Sequence, residues 1–368
     1  MSADDLMHEA KRQLDVCNAC RYCEGYCAVF PALELRGALR AGDITYLANL
    51  CHDCRNCYDA CMFAPPHEFA VNIPKVLAEV RVDTYARYSW PRIFSRAFRT
   101  GGWGTAVIVL GALGIVLLAI VLTAGTGRLL SPHRGPGAFY EIVPYLGLVV
   151  PAVAVSLYGV VVILAGAWEF TRETHGSPWE LLNGRALWRA AAEVVSLHWM
   201  KGGGVGCYYP KARGSHARRL LHSLVFWGFG SAFISTTLAA VYQDLLDRLP
   251  PYPVLSAPVL FGIAGGVMMI VGSTGLLMLK PRSDPVPAAA AMTVMDYAFL
   301  VILDLAAITG MLTLVFRGTR AMGVLFALHL GILAGLYITA PYGKFVHGVY
   351  RSIALIKRCL EEDREAAA

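Results

Sequence analysis

The chain has 368 residues, enough for two or three structural units, and 56% of them are apolar while only 16% are charged, against the roughly 25% charged of an ordinary soluble chain. The shortage of charge falls almost entirely after Gly101, which excludes a uniformly soluble protein and reads as a soluble head of about a hundred residues on a membrane domain. The net charge of +6 invites a nucleic-acid partner, but the basic residues cluster beside apolar segments and read as topology signals, not as a phosphate-binding face.

The head carries one cysteine pattern twice, Cys17-x2-Cys20-x2-Cys23-x3-Cys27 and Cys51-x2-Cys54-x2-Cys57-x3-Cys61. Three thiolates at this spacing wrap three corners of an iron–sulfur cube, and in the bacterial ferredoxin arrangement the fourth cysteine reaches across to the other cluster. The expected sets are therefore Cys17, Cys20, Cys23 and Cys61 on one [4Fe–4S] cluster, and Cys51, Cys54, Cys57 and Cys27 on the second. Zinc usually takes two well-separated cysteine pairs. Disulfides need an oxidising compartment, and nothing ahead of Cys17 resembles a secretion signal. Residues 1–80 are read as a ferredoxin-like two-cluster domain, and 81–100 as a basic linker.

A bilayer core about 30 Å thick needs about 20 mostly apolar residues of helix. Six stretches qualify, at 102–124, 142–168, 220–242, 254–279, 297–316 and 321–340. Gly-Thr-Gly at 125–127, Pro250-Pro251-Tyr252-Pro253 and Lys280-Pro281-Arg282 separate them with helix-breaking chemistry. The fold class expected is mainly α, a bacterial-ferredoxin-like head joined to a six-helix transmembrane bundle over 101–352, with a cytoplasmic tail at 353–368. An even number of spans puts the head, the 169–219 loop and the C-terminus on one side. That side carries nineteen Lys and Arg near the spans against five on the other, which predicts a cytoplasmic head in a bacterial inner membrane.

In the long loop, 187–200 has the spacing of an amphipathic surface helix, and Gly-Gly-Gly-Val-Gly at 202–206 lacks the strand-then-helix setting of a phosphate loop. Cys207 and Cys359 read as non-ligands. Three histidines fall in or beside spans, where an ionisable group is costly and functional by default. His222 lies near the head-side start of span three, and His347 just beyond span six. Spans three and six run in opposite directions, so the two meet at one depth as the axial pair a b-type haem requires. His329, eighteen residues and so five full helical turns before His347, shares its helix face and is a weaker candidate for a second haem, since span three offers only Thr236, Tyr242 and Gln243 as partners. Asp304 in span five is either a proton relay or a carboxyl bonded across a helix interface.

The runs 17–31 and 51–61, the following Ala-Pro-Pro-His-Glu-Phe-Ala-Val-Asn at 64–72, Gly-Cys-Tyr-Tyr-Pro at 206–210 and Pro-Tyr-Gly-Lys-Phe-Val-His at 341–347 resemble the tricarballylate-utilisation protein B family, also called citrate-utilisation protein B. The likeness covers essentially the whole chain. It implies a membrane iron–sulfur and haem protein that reoxidises the flavin of a partner FAD-dependent dehydrogenase acting on tricarballylate, and passes electrons towards the quinone pool. The segment from His329 to His347 is more distantly similar to the last helix of the nitrate reductase gamma subunit, where histidines at this spacing bind different haems. Family members often carry two adjacent histidines at the start of span three; this chain has Leu221-His222. No acid–base pair or nucleophile is visible, so substrate oxidation is expected on another chain. A membrane-tethered redox sensor and a quinol-oxidising subunit feeding a cytoplasmic reductase remain the alternatives.

Overall fold

The structure, a computed structural model, describes residues 2–92, 94 and 103–367; of the expected linker at 81–100, residues 93 and 95–100 lie outside them. The head is built from α1 (Ala3–Cys20), α2 (Val29–Glu34), α3 (Ala41–Leu50), the single turn α4 (Asn56–Asp59) and α5 (Ile73–Arg87). Local chemistry starts these helices. Ser2 and Asp5 form a capping box on α1, and Asn72 caps α5 by accepting from the Lys75 amide, with Pro74 in the first turn. Leu14, Phe30, Leu33, Ile44, Leu47 and Leu77 form the centre and are each at most 3% exposed. Burial of each such side chain contributes about 1.5–3 kcal/mol.

Among the described residues, six helices are long and apolar enough to cross a bilayer: α6 (Trp103–Leu129), α7 (Tyr145–Glu173), α9 (Ala217–Asp244), α10 (Ala257–Leu279, continued to Arg282 as a tighter turn), α11 (Ala290–Val315) and α12 (Met322–Thr339). Helix α6 is interrupted at Gly125, the first residue of the Gly-Thr-Gly run. Helices α9, α10, α11, α12 and α6 pack in that order, with α7 beside α12. The closest seam is between α9 and α10. A Cβ on Gly272 would sit 2.7 Å from the Leu221 carbonyl oxygen, so only hydrogen allows α9 to lie this near at the level of His222. Outward faces such as Val153, Leu157, Val160 and Leu164 of α7 are apolar and exposed, as lipid-facing residues are.

Between α7 and α9 lie a short helix, α8 (Gly184–Val195), and a two-stranded antiparallel ribbon, β1 (Cys207–Tyr208) with β2 (Gly214–Ser215), in register Cys207 to Ser215. After α12 the chain breaks. Residues from Ala340 to Gly343 turn, Lys344–Val346 forms one tight turn, and α13 (His347–Glu365) begins. Pro341 has no amide to continue the α12 ladder. The continuous helix that would set His329 and His347 on one face is therefore absent.

Two expected boundaries differ from the structure. Residues 353–368, read as a tail, fall for the most part in α13, which buries Tyr350, Ile353, Ala354, Leu355, Cys359 and Leu360. Arg81, read as part of the linker, is the ninth residue of α5 and is 1% exposed. The cause is the same in both cases: head, α13 and the head-side ends of α7 and α11 share one continuous core that includes Phe170, Met292, Tyr350 and Leu355.

Candidate functional site

The first cysteine run spans the end of α1. Arg21 takes a left-handed turn with φ 57°, its amide donating to the Cys17 carbonyl, and a short turn at Glu24–Tyr26 carries the chain to Cys27. Cys17, Cys20, Cys23 and Cys61, with Cys57 behind them, line one pocket walled by Phe30, Val71 and Ile73. Burial pushes the Cys17 thiol up to about 12, and charges on Cys61, Cys23 and Cys20 add to the shift. Burial does the same to Cys23, also to about 12, with Cys61 and Cys20 contributing. These four sulfurs are neighbours.

The second run follows α3. Asp53 and Arg55, at φ 54° and 70°, fold the chain back so that Cys51, Cys54 and Cys57 meet Cys27. Burial raises the Cys57 thiol well above its ordinary value, and charges on Cys54, Cys27 and Cys51 reinforce it. Burial likewise raises Cys27, next to Cys54 and Cys51, while the Val29 amide opposes the rise. The Asp53 amide donates to Cys51 Sγ at 3.4 Å, and the Asn56 amide eases the rise that burial imposes on Cys54. Amides two residues on thus face three of these four sulfurs, a donor pattern that stabilises thiolates.

All ten cysteines are free thiols, and among the described residues no three His, Cys, Asp or Glu side chains converge to hold a single metal ion. A tetrahedral ion would draw its sulfurs to within about 4 Å of each other. Two thiol quartets set around separate centres, one lining a pocket and one fed by amide donors, fit the ligand chemistry of iron–sulfur clusters.

His222, in the second turn of α9, and His347, the first residue of α13, have ring centres 6.2 Å apart with planes at 81°. Two imidazoles this close, brought together from two helices, are the donor set that could hold one haem iron between them. His347 Nδ1 lies 2.5 Å from the Lys344 carbonyl, so it carries the proton and leaves Nε2 a lone pair. Buried His222 Nδ1 has no partner. The pair fits axial ligation. His329 does not meet α9; its Nδ1 lies 3.2 Å from Thr309 Oγ1 on α11, against Gly310. Asp304 accepts from Ser273 at 2.7 Å and Thr274 at 3.0 Å, tying α10 to α11.

Several residues around these centres have contacts that the sequence does not show. The 202–206 glycine run lies against the second cysteine run, where Asn56 Nδ2 donates to the Gly202 and Gly206 carbonyls and Oδ1 accepts from the Tyr208 amide. Gly202, at φ 52°, would place a Cβ 2.6 Å from Asn56 Nδ2, so a side chain is excluded. Cys207 packs beside Cys54 and donates to the Met200 carbonyl. Asp296 of α11 pairs with Lys280 at 2.7 Å and Lys344 at 2.8 Å. Arg351 donates to the Cys51 carbonyl at 2.7 Å and Tyr342 to the Trp90 carbonyl at 3.0 Å.

Fold and site together define a multi-pass membrane protein with an iron–sulfur head. The family models agree in both parts: residues 10–87 match the citrate utilization protein B Fer4-like domain, and residues 102–368 match citrate utilization protein B. The citrate utilization protein B of Escherichia coli is 39% identical over 361 residues, 97% of this chain and 93% of that one. The chain belongs to the citrate utilization protein B family. No solved structure matches it.

Proposed function

We propose that this chain carries electrons from a reduced FAD-dependent dehydrogenase, docked on the head, to quinone in the bilayer. Cys17, Cys20, Cys23 and Cys61 would hold one [4Fe–4S] cluster, Cys51, Cys54, Cys57 and Cys27 the second, and His222 with His347 one b-type haem. When bound, these groups supply the one-electron chemistry. The observation that carries the reading is a shared helix: α13 presents His347 to His222 at 6.2 Å and, four residues on, Arg351 to the Cys51 carbonyl.

The chain's own residues fix distances and exclude water. Cys20 is exposed, so the first quartet faces the side a soluble partner can reach, while Cys51 and Cys54 are 7% and 5% exposed and face inward. Lys344 orients His347 through its carbonyl and is itself held by Asp296. The printed name of the relative, citrate utilization protein B, supports a place in the use of citrate or a related tricarboxylic acid. The nineteen-to-five bias of Lys and Arg supports a cytoplasmic head in the bacterial inner membrane.

A reduced-minus-oxidised optical spectrum of purified membranes tests this. His222→Ala and His347→Ala each remove the b-type bands, and His329→Ala keeps them. If neither variant loses the bands, the haem ligands are misassigned. Anaerobically purified protein without stoichiometric iron and labile sulfide would defeat the carrier reading as a whole.

A further inference from the structure

We propose that a collar of guanidiniums, chiefly buried Arg81 and half-buried Arg351, poises the second cysteine quartet's cluster at a higher reduction potential than the first, so that an electron entering the head falls inward. This rests on the ligand sets proposed above. Arg81 donates to the Cys51 and Ala48 carbonyls at 2.5 and 3.0 Å, and Arg351 to the Cys51 carbonyl at 2.7 Å. Arg218 donates to the Asp53 carbonyl, and the Tyr209 ring lies between Arg218 and Arg55, 5.1 and 4.8 Å from their guanidinium carbons. Against these four cations the described residues offer one carboxylate in ion-pair range, Asp53 at 3.9 Å from Arg218.

Buried cations without carboxylates are costly unless another anion stands nearby. Beyond Asp53 beside Arg218, the nearby anions are the cysteines of the second run. Burial pushes Arg351 down to about 10 and the neighbouring Arg81 adds to this, while Tyr85 and then Cys51 work in the opposite direction. Around the first quartet the arrangement differs. Its pocket has one cation on its lining, Arg21, which is exposed and donates to the Asn18 carbonyl.

Reduction of a cluster adds one electron and no proton, and the guanidiniums stay protonated throughout. Their effect is therefore charge alone, favouring the more negative, reduced state. Burial opposes the extra negative charge and acts the other way. The collar has to outweigh it, which is what the experiment reads.

The two midpoints are measured by redox titration of the purified full-length chain, with dithionite as reductant and paramagnetic resonance as readout. Arg351→Gln keeps hydrogen-bonding capacity and removes the charge. It is expected to disfavour reduction of the more positive centre about tenfold, a fall of about 59 mV for one electron, and leave the other in place. Arg351→Lys restores most of the shift. Arg55→Gln, whose guanidinium donates to the Asp284 carbonyl and lies over the Tyr209 ring, gives the same sign if Arg351→Gln fails to accumulate. Unmoved midpoints, or a shift confined to the more negative centre, overturn the proposal. So do coincident midpoints in the wild type, whatever the variants do. A wild type with no cluster signal instead removes the ligand sets beneath it.

Discussion

Asn56 stands between two cysteines, yet what it holds is far away in the chain. Its amide group is fully used, with carbonyls of Gly202 and Gly206 at 3.1 and 2.9 Å and the Tyr208 amide at 3.0 Å. Removing a buried partner leaves each group to meet its desolvation cost, about 1–3 kcal/mol apiece. Asn56→Ala should therefore lower thermal stability by about 2–4 kcal/mol and speed hydrogen exchange at the Tyr208 amide. Asn56→Asp should be worse, because it points a carboxylate at two carbonyls; equal stability of Asn56→Asp and wild type would rule the account out. The contrast with the cysteines explains what the sequence reveals at this scale. Ligands at x2 spacing announce themselves because their geometry is local. The partners of Asn56 and Arg351 lie 146 and 300 positions away, and no local pattern records such pairs. Arg81 illustrates the same limit: in sequence it looks like a membrane-flanking charge, and in the fold it serves a cysteine loop.

Elements were more legible than the joints between them. Six apolar helices could be read because a bilayer demands long apolar runs. The sixth span is read to end at 340, yet the shared face of His329 and His347 needs a helix that runs on past Pro341, and the chain breaks there. Nothing singled out His133, in the turn between α6 and α7, which is 6% exposed. Its Nε2 lies 2.7 Å from the Arg128 carbonyl and its Nδ1 contacts a Glu141 carboxylate oxygen. Both neighbours are acceptors, so both ring nitrogens donate and the ring is an imidazolium. The Arg128 carbonyl raises the His133 pKa above its ordinary value, burial opposes this, and Glu141 adds to the rise. A raised folded-state pKa gives stability that is complete below the unfolded value, about 6.5, and is lost as pH climbs through the folded value. Glu141 is 56% exposed, which limits the gain to about 1 kcal/mol. The stability difference between wild type and His133→Ala should thus be largest below about pH 6.5 and shrink towards alkaline pH. A difference that grows with pH would contradict the imidazolium.

At the scale of the whole molecule, head and membrane domain behave as one body. Four rings meet at the junction: Tyr85 and Tyr88 on the head side, Phe170 from α7 and Tyr350 from α13, with centres 5.4 to 6.0 Å apart. Charged pairs add a second layer. Of these, Arg189 with Glu362 is about a third exposed on both sides and contributes little, whereas Arg36, 9% exposed, joins Asp43 and Glu361 across the head and α13. The aromatic junction dominates, since truncating a buried ring to alanine costs about 3–5 kcal/mol, several times an exposed ion pair. A specific protease site placed within 95–100 separates the two consequences of this. After the cut, the wild-type head should stay with the membrane fraction through a high-salt wash, because apolar packing is not screened. With Tyr350→Ala the head should leave in the supernatant, and with Tyr350→Phe, which keeps the ring, it should remain. Release of the wild-type head on cleavage would mean that only the chain connection holds it. In that event α13 could not fix the distance between the cysteine loop and the histidine pair, and the rigid route inferred through Arg351 and His347 would lose its mechanical basis.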